Sequence, residues 1–302
     1  MSQDKRLAAA YTSLLGLSLG DAFGETFFGE ESEVLERLRR RQVQPGKWEF
    51  TDDTVMGIAV YKQLAKNGAI IQDELAAEFA RNYQIDINRG YGGTAHYILR
   101  TIAQGKSWQV VSKEVFDGMG SMGNGAAMRA GPIGAYFGEN VAAVVTEARL
   151  SAEVTHANEE GICGAIAVAL MASFAGWRTS EATVAECFEF ILSYLPDSDT
   201  KAKIAKAATL SSTCDIRTAT AILGNGVKLT AQDTVPFALW CAAHQRTNFE
   251  AALWRAVNGL GDRDTICAIV GSIVSLSAPA STVPSQWLQQ VEQVTESTFF
   301  LS

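Results

Sequence analysis

Gly261-Asp262-Arg263-Asp264-Thr265 runs straight into the apolar stretch Ile266-Cys267-Ala268-Ile269-Val270-Gly271. The apolar run predicts a helix. The two aspartates and their hydroxyl neighbour fall at its N-terminus, where the helix dipole tolerates negative charge. Thr51-Asp52-Asp53-Thr54 repeats the device ahead of Val55-Met56-Gly57-Ile58-Ala59. One Thr or Asp is enough to cap a helix, and adjacent carboxylates repel unless something neutralises them. Four carboxylates and two or three hydroxyls on two helix starts suit a hard divalent cation, or a pair of them. Oxygen donors without clustered Cys or His favour magnesium or manganese over a structural zinc site. Nothing resembles the calcium-binding loop of a helix–loop–helix hand.

The helical period extends outward from both motifs. Alanine-rich segments with apolar residues three and four apart run from Val141 through Val154, from Ile162 through Phe174, and from Ala238 through Trp240 into the next turn. Strand-like alternation is scarce. The six prolines avoid the best patterns except near their starts, at Pro132 and Pro236. The reading is all-α: a dozen or more helices joined by short turns such as Pro196-Asp197-Ser198-Asp199 and Gly224-Asn225-Gly226. No linker, low-complexity tract or repeat divides the chain. If the two acidic motifs share a site, the first and last thirds must pack together, so a single multi-helix domain over residues 1–302 is expected.

Bulk properties bound the function. The chain has 302 residues, 47% of them hydrophobic, enough for a large core. A net charge of −8 and a pI near 5.0 argue against a nucleic-acid partner. Cys163, Cys187, Cys214, Cys241 and Cys267 show no CxxC spacing and read as reduced, mostly buried thiols of a cytoplasmic protein. Lys5 and Arg6 before an apolar run resemble a secretory signal, but Tyr11, Thr12 and Ser13 interrupt it and no cleavage site follows. No uninterrupted apolar stretch has the length of a membrane span, so no membrane association is expected.

Gly118-Met119-Gly120-Ser121-Met122-Gly123-Asn124-Gly125 leads into Ala126-Ala127-Met128-Arg129, which reads as a glycine-rich loop before a helix. Such a loop brings backbone N–H groups close to an anion. It is neither a Walker loop nor a GxGxxG turn. Opposite a carboxylate-held cation it suits a diphosphate. Gly20-Asp21-Ala22-Phe23-Gly24 reads as a helix stop. Tyr91, in Arg89-Gly90-Tyr91-Gly92-Gly93-Thr94, could stack on a base or simply pack. His156, between two helical patterns, is by itself a capped or satisfied residue. Arg37-Leu38-Arg39-Arg40-Arg41 reads as a solvated face, and His96 and His244 carry no assigned role.

Taken in order, GLSLGDAFG (16–24), FTDDTVMGIAV (50–60), RGYGGT (89–94), GSMGNGAAMRAGPIG (120–134), THANEEG (155–161) and GDRDTICAIVGSIV (261–274) resemble the ADP-ribosylglycohydrolase family, of the dinitrogenase-reductase-activating glycohydrolase type. The resemblance implies an all-α fold with two magnesium or manganese ions at the mouth of a cleft. Thr51, Asp52 and Asp53 match one ligand group, and Asp262, Asp264 and Thr265 the other. Gly120, Ser121, Met122, Gly123, Asn124 and Gly125 match the loop that holds the diphosphate and the nearer ribose. His156 matches a histidine lining the ADP-ribose cleft, and Tyr91 lies in a turn bordering it. The implied activity removes ADP-ribose from modified protein side chains, with arginine linkage favoured over serine or small-molecule linkages. An aspartate of the cluster (Asp52, Asp53 or one of the later pair, Asp264 among them) could take the proton of the attacking water.

The chain departs from the family at two places. Phe28 stands where many members carry a glutamate seven residues after the aspartate of GlyAsp, and Gly90 where some carry an aspartate. Glu25 is then the expected replacement acid, with Glu30 and Glu31 also nearby. A silent ADP-ribose-binding module, a structural relative and a sugar or phosphate hydrolase are the competing readings.

Overall fold

Gly16, Gly20 and Gly24 lie four residues apart on one face of the first helix and meet Gly271, Cys267 and Arg263, equally spaced on another. In the computed structural model, which describes residues 2–177 and 182–301, this backbone-to-backbone seam joins the two ends of the chain. In order the helices are α1 (Gln3–Glu25), α2 (Glu31–Arg40), α3 (Asp52–Asn67), α4 (Gln72–Ile85), α5 (Gly93–Ala103) and α6 (Trp108–Glu114). Next come α7 (Gly131–Phe137), α8 (Val141–Glu153), α9 (Glu159–Trp177), α10 (Val184–Leu192) and α11 (Asp199–Thr209). The chain continues with α12 (Ile216–Leu223), α13 (Ala231–His244), α14 (Phe249–Val257), α15 (Arg263–Val274), α16 (Ser285–Gln290) and α17 (Thr298–Leu301). The described residues form no sheet, only the isolated bridges Trp48–Val291 and Gly123–Thr230. The architecture is all-α, as the periodicity requires.

The helix α9 is apolar on every side and sits in the interior, packed on α7, α8 and α13. Its length and composition would suffice to cross a membrane, but its side chains are buried among the neighbouring helices. The helix α15 packs on α1, α13 and α14, and α3 packs on α1 and α4. A cluster of Phe23, Phe27, Trp48, Trp254 and Trp287 fastens the far end of the chain to α1, with Phe23 stacked on Trp287 at 4.6 Å between ring centres. One contiguous core includes residues from Ala10 to Phe299. The first and last thirds therefore do pack together. Four of the five cysteines are buried, and all five are free thiols.

Three local expectations are corrected. Gly20 and Gly24 do not stop α1, which continues through both to Glu25. Their lack of a side chain serves the α1–α15 approach instead: a methyl group at Gly20 would lie 2.0 Å from the Cys267 carbonyl oxygen. Ala126 through Arg129 form turns rather than a helix, because the chain bends there around the buried Arg129 guanidinium, which donates to the Gly125 carbonyl. The next helix begins only at Gly131, with Pro132 in its first turn. Pro236 lies inside α13 rather than near its start.

Candidate active site

The α1–α15 seam carries Asp21 into the interior, fully buried in mid-helix. Its carboxylate is used up by the start of α3. Oδ1 accepts from Thr51 Oγ1 at 2.8 Å, and Oδ2 accepts from the backbone N–H groups of Thr51 and Thr54 at 2.9 and 3.0 Å and from Thr54 Oγ1. Thr51 caps α3, taking the Asp53 N–H at 3.3 Å. Asp21 thus fixes the first acidic motif from behind. Nothing in the sequence reading singled it out, although an aspartate in the middle of a glycine-spaced apolar helix face was the available signal.

Asp52 and Asp53 open α3, and Asp262 caps α15 with Asp264 in its first turn. Both pairs line one cavity of about 360 Å³, together with Thr265, Ser121 through Gly125, and His156. That volume is of the order expected of a small-molecule site. Asp53 Oδ1 and Asp264 Oδ1 are buried with no hydrogen-bond partner. Burial first, then the charges of Asp264 and Asp21, holds the Asp52 carboxyl well above the usual carboxylate range. Asp53 is raised by burial and then by Asp21 and Asp264, and Asp262 by burial and then by Asp264. Five acids this close are costly to ionise together without a compensating cation. Among the described residues no three His, Cys, Asp or Glu side chains already converge as a finished metal cage. The donor set nevertheless fits a divalent cation: the oxygens are hard, two are orphaned, and two rigid helix starts present them.

The glycine-rich segment forms the facing wall. Gly118 and Gly120 take positive φ values of 86° and 72°, and a methyl group at Gly120 would lie 2.9 Å from Ala157. Neither Gly120 nor Thr51 is among the residues that line the cavity. The segment is pinned to residues 229–231: Asn124 N–H donates to the Leu229 carbonyl at 3.1 Å and Ala231 N–H to that of Met122 at 2.9 Å. Ser121 Oγ accepts from Gly123 N–H. Asn124 Nδ2 reaches the acidic cluster, donating to Asp262 Oδ2 at 2.5 Å and to Thr234 Oγ1 at 2.9 Å. The loop and the second acidic motif are therefore one unit.

Other expected residues take different places. Glu25 keeps solvent contact at the end of α1 outside the cavity lining, and partial burial followed by the charge of Asp264 raises its carboxyl to about 7. Glu30 caps α2, accepting the Glu33 N–H, and faces solvent. Phe28 is half-exposed and lies under the Arg263 guanidinium at 5.0 Å. Tyr91 is buried against Tyr83, with ring centres 5.1 Å apart, and Gly90, Gly92, Gly93 and Thr94 of its turn line the cavity in its place. Phe116, at φ 55° and half-exposed, is the aromatic residue that lines the cavity instead. Its isolated position in the sequence gave no signal. Arg129, fully buried, and Lys228, exposed, are the cations of the lining.

The ADP-ribosylglycohydrolase family model matches residues 2–299. The chain is 28% identical to the ADP-ribosylhydrolase ARH3 of Homo sapiens, over 92% of this chain and 88% of that protein. It is 24% identical to the ADP-ribosylarginine hydrolase Tri1 of Pseudomonas putida, over 96% and 76% respectively. A solved chain described as an ADP-ribosylglycohydrolase-related protein complex superposes with a TM-score of 0.62 at 23% identity, covering 96% of this chain and 94% of that one. That likeness shows the fold.

Proposed function

The chain belongs to the ADP-ribosylglycohydrolase family and is a glycosyl hydrolase, and from that premise we propose that it removes ADP-ribose from modified arginine side chains with the help of two magnesium or manganese ions. The observation that carries the metal reading is the pair of orphaned buried oxygens, Asp53 Oδ1 and Asp264 Oδ1, on two helix starts lining one cavity. Asp52, Asp53, Asp262, Asp264 and Thr265 would hold the ions; Thr51 would join them only by turning its hydroxyl from Asp21. When bound, the ions supply positive charge that neutralises the carboxylates and polarises the ribose hydroxyls.

The chain's own groups do the rest. The Gly123–Gly125 wall and Asn124 orient the diphosphate, and the half-exposed Phe116 ring offers a face to the base. An aspartate oxygen of the cluster takes a proton from the attacking water as its oxygen bonds to the anomeric carbon. The bond from that carbon to the guanidine nitrogen breaks and the nitrogen takes a proton, relayed through solvent from Glu25, whose carboxyl is raised to about 7 but stands outside the cavity lining. The likeness to the ADP-ribosylarginine hydrolase of Pseudomonas putida supports the arginine linkage.

The test is incubation with arginine-, serine- and nucleotide-linked ADP-ribose in magnesium, in manganese and in chelator. Cation-dependent release from the arginine linkage is expected. Release from serine-linked substrate alone would overturn the linkage.

A further inference from the structure

The cavity wall holds a hydrogen-bonded chain that the reaction above does not use. Arg129 is fully buried, and no carboxylate is among its hydrogen-bond partners. Its Nη1 donates to the Gly125 carbonyl at 3.0 Å, and its Nη2 to the Ser151 carbonyl at 2.8 Å and to Thr155 Oγ1 at 2.9 Å. Thr155 Oγ1 in turn lies 2.7 Å from His156 Nδ1. A guanidinium can only donate, so Thr155 Oγ1 accepts from Arg129. The threonine hydroxyl hydrogen has Nδ1 as the acceptor within its reach, since among the described residues no other oxygen or nitrogen is paired with Thr155 Oγ1 as an acceptor, and this assigns Nδ1 as the accepting nitrogen. The ring hydrogen is left on Nε2, which faces Gly123 and Gly125: a methyl group at Gly123 would lie 3.1 Å from it.

We propose that Arg129 and Thr155 are positioning residues that hold His156, the histidine the family resemblance already places in the ADP-ribose cleft, in a single neutral tautomer with its Nε2–H toward the cavity wall. Thr155 acts through the ring. Burial and the Arg129 charge, which push the imidazole pKa down to about 3, agree with a ring that stays neutral. The charged groups that line the cavity with His156 are Arg129, Lys228, Asp52, Asp53, Asp262 and Asp264. A single tautomer matters because the other tautomer would present the Nε2 lone pair to an electron-rich oxygen and repel it. The proposal rests on the ADP-ribose reading for the ligand but not for the tautomer.

The test uses imidazole nitrogen NMR on the full chain, with the three histidines assigned through His96→Gln and His244→Gln variants. His156 is expected to show an Nε2–H tautomer that does not titrate between about pH 5 and pH 9. Thr155→Ser should keep that signature. Thr155→Val should mix the tautomers and weaken ADP-ribose binding, measured by calorimetry with magnesium, about tenfold. An Nδ1–H tautomer in the unmodified chain, or a ring that titrates in this range, would overturn the proposal even if the variants failed to fold. Unchanged affinity of Thr155→Val would overturn it too. Failure of the unmodified chain to bind ADP-ribose, with the tautomer as expected, would sink the ligand assignment alone.

Discussion

Gly20 of α1 and Cys267 of α15 touch backbone to backbone, the closest approach leaving 2.0 Å between a would-be methyl group on Gly20 and the Cys267 carbonyl oxygen. This contact sets where Asp21, one residue on, meets Thr51 and Thr54. Gly20→Ala should therefore destabilise the fold by about 3 kcal/mol or more, because two packed helices must separate. Gly176→Ala, whose added methyl would meet nothing nearer than Leu276 at 3.9 Å, should be neutral or slightly stabilising. Urea titration of both variants checks the contrast. Equal stability of the two would remove the seam from the account.

Asp53 is buried among like charges, with one oxygen unpartnered. In chelator at pH 8, Asp53→Asn should raise stability by about 1–2 kcal/mol, seen as a rise of a few degrees in Tm, while hydrolysis is lost. A stability–function trade-off of this kind marks an acid kept for a cation rather than for the fold. A fall in Tm would indicate that Asp53 is structural.

The pH dependence of stability follows from Asp21. Burial, opposed by the Thr54 hydroxyl and reinforced by the charge of Asp264, raises its carboxyl from 3.8 to about 7 in the folded chain. Between those values the folded state holds a proton that the unfolded state has released, so stability falls as pH rises through that window. Metal-free Tm should be higher at pH 5 than at pH 8, and added magnesium should weaken or reverse the slope. Thermal scans across pH with and without magnesium measure it. A metal-free Tm that rises toward pH 8 would contradict the assignment.

Much of this was legible before any coordinates. Thr51-Asp52-Asp53 and Asp262-Arg263-Asp264-Thr265 announced two helix starts because capping chemistry is local, and α3 and α15 begin where those residues place them. The all-α class followed from spacing alone. Glycines were harder, since Gly20 and Gly24 serve a partner helix more than 200 residues away and local rules read them as a stop. Tyr91 and Phe116 were indistinguishable by type: only the tertiary fold turns one ring onto Tyr83 and the other onto the cavity. Asp21 and Arg129 act through groups distant in sequence, and such roles leave no local trace.

Asn124 joins the glycine-rich wall to the second acidic motif through Asp262. Asn124→Asp would place two carboxylates against each other, and should weaken magnesium-dependent ADP-ribose binding by at least about tenfold. Asn124→Ala should cost less, because it removes a donor without adding charge. Calorimetry on both variants orders them. The reverse order would mean that the wall and the acidic motif act separately.

On the proposed function, the two acidic helix starts form one cation-dependent hydrolytic site. Its most direct measurement is release of ADP-ribose from arginine-modified protein after thorough chelation, followed by stepwise return of magnesium, in the unmodified chain and in Asp264→Asn. The account expects turnover to vanish on chelation, to return with magnesium in the unmodified chain, and to stay lost in the variant. Undiminished turnover in the chelated enzyme would contradict it.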